Sequence, residues 1–232
     1  MLFSAGLAIA IITAAFASVS GAHANPAVTF AMIFARQISP LRAILYMCAQ
    51  CGGGVAGAAL VNAVYKSGIK DPILKNGPEK GSFGMEFTLT FMIVYVICAS
   101  KADAASNPVN KPNLPGSNFG SSSYYNSTHG TDWRIPLIGV TSNKPNPIIV
   151  GAAYAGCLIA WMGSLNPARA LGSAFVHPSD VEHRFKQHWI FWVGPFLGAA
   201  TGAFAFEYIF NPFRRRAGFS PFTGSNNPRY VS

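Results

Sequence analysis

Met1 to Val19 contains no charged residue, and four further apolar runs follow it along the chain. About 20 mostly apolar residues in a helix are enough to cross the hydrocarbon core of a bilayer. Leu41 to Tyr65 is apolar apart from Arg42 at its entrance and a few polar groups such as Gln50. Phe83 to Ala99 carries one charge, Glu86, and Trp189 to Phe210 carries only Glu207 near its end. Ile148 to Met162 is uncharged but shorter. Lipid offers no partner to backbone N–H and C=O groups, so these runs must be helices that satisfy themselves. The expectation is an all-α membrane protein with five spanning helices. Composition agrees. Only 11% of the 232 residues are charged, against about 25% in soluble domains. That excludes a disordered tail and a nucleic-acid-binding module, and it argues against a cytosolic enzyme. The net charge of +9 falls between the apolar runs, which suits a membrane better than nucleic acid. The first run has a rival reading: Ala22-His23-Ala24 resembles a signal-peptide cleavage site, but no Lys or Arg precedes Arg36.

Two segments echo each other: Ser20-Gly21-Ala22-His23-Ala24-Asn25-Pro26-Ala27 and Gly163-Ser164-Leu165-Asn166-Pro167-Ala168-Arg169. Each places Asn-Pro-Ala ahead of an apolar run, Pro26 to Ala35 or Pro167 to Val176, that is too short to span. Asn at the N-cap with Pro at the first helical position is a strong helix start. Each segment therefore reads as a re-entrant loop followed by a half-helix. The first turn of a helix leaves N–H groups unpaired and carries the positive end of its dipole. Two such ends meeting at mid-membrane oppose a cation or a proton, while the Asn amides can donate to a passing water oxygen.

The stretches SGAHANPAVTFA, ISPLRAILYMCAQCGGGVAGAAL, GMEFTLTFMIVYV, MGSLNPARALGSAFV and HWIFWVGPFLGAATG resemble the aquaporin (major intrinsic protein) family. The resemblance implies two inverted repeats, each of three spanning helices and a half-helix, assembled as a homotetramer among membrane lipids. It implies a passive channel for water or a small neutral solute, in the plasma membrane with a cytoplasmic C-terminus. By the logic of the repeat, a first spanning helix resembling Gly84-Met85-Glu86-Phe87-Thr88 should precede Met1. The expected organisation is an incomplete first repeat at 1–65, an extracellular loop at 66–82, a second repeat at 83–210 containing a long cytoplasmic loop at 100–146, and a cytoplasmic tail at 211–232. Of the 17 basic residues, ten fall on the expected cytoplasmic side and six outside, with Arg169 between them. The bias agrees with the positive-inside rule.

Arg169 stands in a membrane segment directly after Asn166-Pro167-Ala168. A charge there is costly enough to read as functional; the rival is an Arg snorkelling to solvent. The resemblance makes it the cation of a selectivity filter whose other positions fall on Ala5, Tyr154 and Gly163. Water-selective members typically have Phe, His and a small residue at these places. The Ala5 and Tyr154 exchange leaves one aromatic wall, one hydroxyl and the Arg; the rival for Tyr154 is an ordinary packed tyrosine. Ala170, where glycerol facilitators carry Asp, points to the water-channel branch. Glu86 is expected to hold a re-entrant loop by hydrogen bonds, and His23 to make a loop hydrogen bond or sense pH. Ala5, Tyr154 and the ISPLRA stretch also resemble the invertebrate big brain branch, which adds cation conduction or a cell-contact role as alternatives. Cys48 and Cys51 form a C-x-x-C with no second pair nearby and read as packed thiols. No cofactor, no metal and no enzymatic activity is expected, since no catalytic dyad, metal cluster or phosphate loop emerges.

Overall fold

The computed structural model describes residues 2–64, 81–106, 144–176, 185 and 187–211. The loop at 66–80, most of the connection at 100–146, with the Asn126 sequon, and the tail from 212, with Arg214 to Arg216, lie outside the described residues. Among the described residues, seven α-helices run in chain order: α1 (Leu2–Ser20), α2 (Pro26–Phe34), α3 (Pro40–Val64), α4 (Ser82–Ser106), α5 (Pro147–Ala160), α6 (Pro167–Val176) and α7 (Ile190–Phe204), the last continuing as a π-helical turn, Ala205–Phe210. No strand occurs among the described residues.

Four helices begin with proline: α2, α3, α5 and α6. The fixed φ of proline suits the first helical position, and its missing N–H costs nothing there. On α5 the preceding Asn146 completes the start, its Oδ1 accepting from the N–H groups of Ile148 at 3.0 Å and Ile149 at 3.3 Å. Four of the described helices are long and apolar enough to cross a membrane: α1, α3, α4 and α7 with its π turn. The fifth expected span, α5, is apolar but only 14 residues long. After it, the chain turns at Trp161 into the second re-entrant loop. The half-helices α2 and α6 fall where the paired Asn-Pro-Ala segments place them.

The packing repeats the duplication seen in the sequence. α1 lies along α5, and each half-helix lies along the last helix of the other half: α2 on α7, and α6 on α3. Within the second half, α4 runs along α7. Gly194, Gly198 and Gly202 of α7 face α4, and a Cβ on Gly198 or Gly202 would strike the carbonyl oxygen of Phe87 or Phe91 respectively. Small residues at such crossings let backbones approach, which is the main way helices associate in lipid. On α3, which holds in the first half the place of α7 in the second, Gly52, Gly53 and Gly57 meet no atom within 4 Å.

α4 runs past the apolar stretch read from the sequence, continuing from Ala99 to Ser106. The extension keeps Lys101 on the helix and buried. Its ammonium donates to Gln37 Oε1 at 2.7 Å and lies 3.4 Å from Met32 Sδ.

Adding a methyl group at Gly198 should force α4 and α7 apart. Gly198→Ala is expected to destabilise the protein by ~1–3 kcal/mol, the scale of overpacking, and to lower its thermal unfolding midpoint in detergent. Gly57→Ala, facing open space, should leave the midpoint within the scatter of surface substitutions, ~0.5 kcal/mol.

Candidate pore site

The site is built by two loops that cap each other. Asn25 is the N-cap of α2, with extended backbone at φ −155° and ψ 122°. Its Oδ1 accepts from the N–H of Ala27 at 2.9 Å. Asn166 does the same for α6, accepting from Ala168 at 3.0 Å and Arg169 at 3.4 Å. Because each Oδ1 is engaged by its own helix, each Nδ2 is the group turned outward. Asn25 Nδ2 donates to the carbonyl of Leu165 at 2.8 Å, and Asn166 Nδ2 donates to the carbonyl of Ala24 at 2.9 Å. Each asparagine thus satisfies the carbonyl directly preceding the other asparagine.

Those two carbonyls belong to residues in matching strained conformations. Ala24 has φ 49° and Leu165 has φ 55°, both in the left-handed region that non-glycine residues rarely occupy. Each such residue costs of order 1–3 kcal/mol and persists only where its surroundings over-determine it. Here the surroundings are specific. Leu165 is fully buried, and its N–H and that of Ser164 both donate to the Glu86 carboxylate, at 2.8 and 2.6 Å. Glu86 is 0% exposed and reaches the second loop from α4. A side chain at Gly163 would collide with that same carboxylate. Ser164 Oγ donates to the carbonyl of Asn166 at 2.6 Å, tightening the loop further.

Of the four residues expected to form a filter, Gly163 and Arg169 are joined: Arg169 Nη1 donates to the Gly163 carbonyl at 2.9 Å. The Arg169 side chain is exposed, and Gly163 is buried. Ala5 sits half-buried on α1 against the apolar core. Tyr154 turns elsewhere. It is 5% exposed, and its hydroxyl accepts from Asn25 Nδ2 at 3.0 Å. Pro26, Ala27, Pro167 and Ala168 are all buried in the first turns of their half-helices.

His23 lies before the first half-helix, its Nδ1 3.2 Å from Thr29 Oγ1. Gln50 of α3 donates to the same hydroxyl at 2.8 Å. Thr29 and this use of Gln50 were not anticipated from the sequence. The available signal was the spacing of four between Asn25 and Thr29, which puts both on one face of α2. Cys48 and Cys51 on α3 are free thiols.

The arrangement brings the N-termini of α2 and α6 together through the two asparagines, with the Arg169 guanidinium held to Gly163 on the α6 side. The fold and site define a membrane protein of the aquaporin type. The major intrinsic protein family model matches residues 1–122 and 139–206, and the chain belongs to that family. Similar proteins include Neurogenic protein big brain of Drosophila melanogaster, 36% identical over 218 residues, covering 91% of this chain and 26% of the relative. Aquaporin-5 of Ovis aries is 33% identical over 213 residues, 89% of this chain and 67% of the relative. Aquaporin PIP1-1 of Oryza sativa subsp. japonica is 32% identical over 213 residues, 87% of this chain and 63% of the relative. The chain therefore spans about a quarter of the length of big brain and about two thirds of the length of these aquaporins.

Glu86 accepts from two buried backbone donors, the N–H groups of Ser164 and Leu165. Glu86→Gln keeps the shape but turns an N–H group toward one of them. The expected loss is ~1–3 kcal/mol for a buried unsatisfied donor. It should be visible as a lower unfolding midpoint and as faster proteolysis in the loop around Ser164. An unchanged midpoint would show that the loop is held without the carboxylate.

Proposed function

We propose that this chain forms a passive transmembrane path for water or another small neutral solute, with Asn25-Pro26-Ala27 and Asn166-Pro167-Ala168 meeting at mid-membrane. The observation that carries this reading is the crossed pair of hydrogen bonds that brings the two half-helix starts together, with Asn166 left partly exposed there. Arg169, exposed and braced by Gly163, serves as the filter cation on the α6 side. The fold supports conduction without covalent chemistry. Homotetrameric assembly, a plasma-membrane location and a cytoplasmic C-terminus belong to the same proposal.

The similarity to big brain and the small Ala5 side chain favour a second reading, a monovalent cation path or a cell-contact scaffold. Voltage clamp separates the first of these, because a cation path carries current. A scaffold is separated by cell aggregation that survives a blocked pore.

Proteoliposomes containing the full chain should swell under an osmotic gradient faster than empty vesicles. Arg169→Trp, which replaces the guanidinium with a bulky ring at the same exposed position, should return swelling to the empty-vesicle rate. Swelling indistinguishable from empty vesicles for the unmodified chain would refute transport of water.

A further inference from the structure

The turn from α2 into α3 displays two arginines for which the described residues supply no partner. α2 ends in a Schellman motif: the N–H of Arg36 donates to the carbonyl of Ile33 and that of Gln37 to the carbonyl of Met32, both at 2.9 Å. The residue at the left-handed position of such a turn is usually glycine. Here it is Arg36, at φ 56°. Its side chain is exposed, as is that of Arg42 in the first turn of α3. Neither guanidinium has a hydrogen bond or ion pair to a described residue. Lys101 brings a third positive charge from α4, and both groups it donates to, Gln37 Oε1 and Met32 Sδ, are neutral. Tyr208 donates to the carbonyl of Phe34, which puts the end of α7 here as well. The acid on that end, Glu207, is buried and accepts from Asn211 at 3.2 Å.

Helix length sets the depth of these charges. α3 has 25 residues, roughly 37 Å at 1.5 Å per residue, against about 30 Å of hydrocarbon. Its first turn therefore reaches the headgroup layer. Helical side chains lean toward the N-terminus, so Arg42 leans into that layer. Beside it Leu41, Ile44 and Leu45, spaced three and four apart, form an exposed apolar stripe. We propose that this turn docks an anionic phospholipid, with Arg36 and Arg42 binding its phosphate and an acyl chain lying along Leu41, Ile44 and Leu45. The guanidinium fork matches phosphate oxygens. The apolar stripe selects a lipid over a free anion. A zwitterionic headgroup carries its own cation, which the three positive side chains oppose, so the headgroup has to be net negative. Lipid docking is independent of whether the chain conducts.

The test adds lipid to the full chain in an uncharged detergent and follows the thermal unfolding midpoint. Dioctanoylphosphatidylserine should raise the midpoint saturably, since a ligand that binds only the folded state stabilises it. Dioctanoylphosphatidylcholine at the same concentrations should not. Arg36→Gly suits the left-handed backbone, so its lipid-free midpoint should hold or rise. Its apparent affinity for the phosphatidylserine should nevertheless fall about fivefold, the scale of one basic side chain at an anionic surface. With Arg42→Gln added, the saturable shift should vanish. No shift from phosphatidylserine, equal shifts from the two lipids, an unchanged affinity in Arg36→Gly, or a shift that survives in the double variant would each overturn the proposal. An equal, arginine-dependent shift from inorganic phosphate or polyglutamate overturns it too, by revealing a free-anion site or a seat for an acidic protein segment.

Discussion

The structure depends on a crossed pair of hydrogen bonds, Asn25 to the carbonyl of Leu165 and Asn166 to the carbonyl of Ala24. A chain that stops being helical inside a membrane exposes backbone groups that lipid cannot satisfy. Here two such interruptions are placed against each other, and each supplies the partner the other lacks. The left-handed backbone at Ala24 and Leu165 belongs to the same solution. It is tolerated because the carbonyls it presents each accept an asparagine N–H. Each loop takes part of its hydrogen bonding from the other, so the two halves of the protein are coupled by hydrogen bonding at the centre as well as by packing of α2 on α7 and α6 on α3.

α4 holds this centre in place from both ends. Near its start, Glu86 grips the second loop through two N–H groups. Near its end, Lys101 reaches Gln37, just beyond the first half-helix. Charged groups in an apolar helix are costly unless they are paired or functional. Each of these two has a partner on the re-entrant segment nearest to it. The glycines of α7 let α4 approach closely enough for both reaches to be made. A bulkier α7 would weaken the grip on the loops without touching either charge.

Much of this was legible in the sequence because its signals are local. Asn-Pro at the two half-helix starts marked helix beginnings to within a residue, and apolar run length separated the long spanning helices from the half-helices. Glu86 was readable as a loop anchor by resemblance. What escaped were contacts between residues far apart in the chain. Tyr154 and Asn25 are separated by 129 positions, and nothing in either neighbourhood indicates that the hydroxyl turns to the asparagine rather than toward Arg169. Burial of Lys101 escaped for a related reason. Its partners, Met32 and Gln37, come from a different helix and its exit, so the residue fell in the cytoplasmic loop expected at 100–146. α5 came out shorter than a span because Trp161 opens the second loop, and hydropathy does not distinguish the last turn of a helix from an apolar loop.

The crossed bonds also impose an order of events on biosynthesis. Leu165 follows Asn25 by 140 residues, and Asn166 follows Ala24 by 142. When the first loop leaves the ribosome, the group that will receive the Asn25 amide has not yet been made. Until the second loop emerges, the Asn25 amide and the Ala24 carbonyl must find other partners. The crossed bonds therefore close only after residues synthesised long behind the first half-helix.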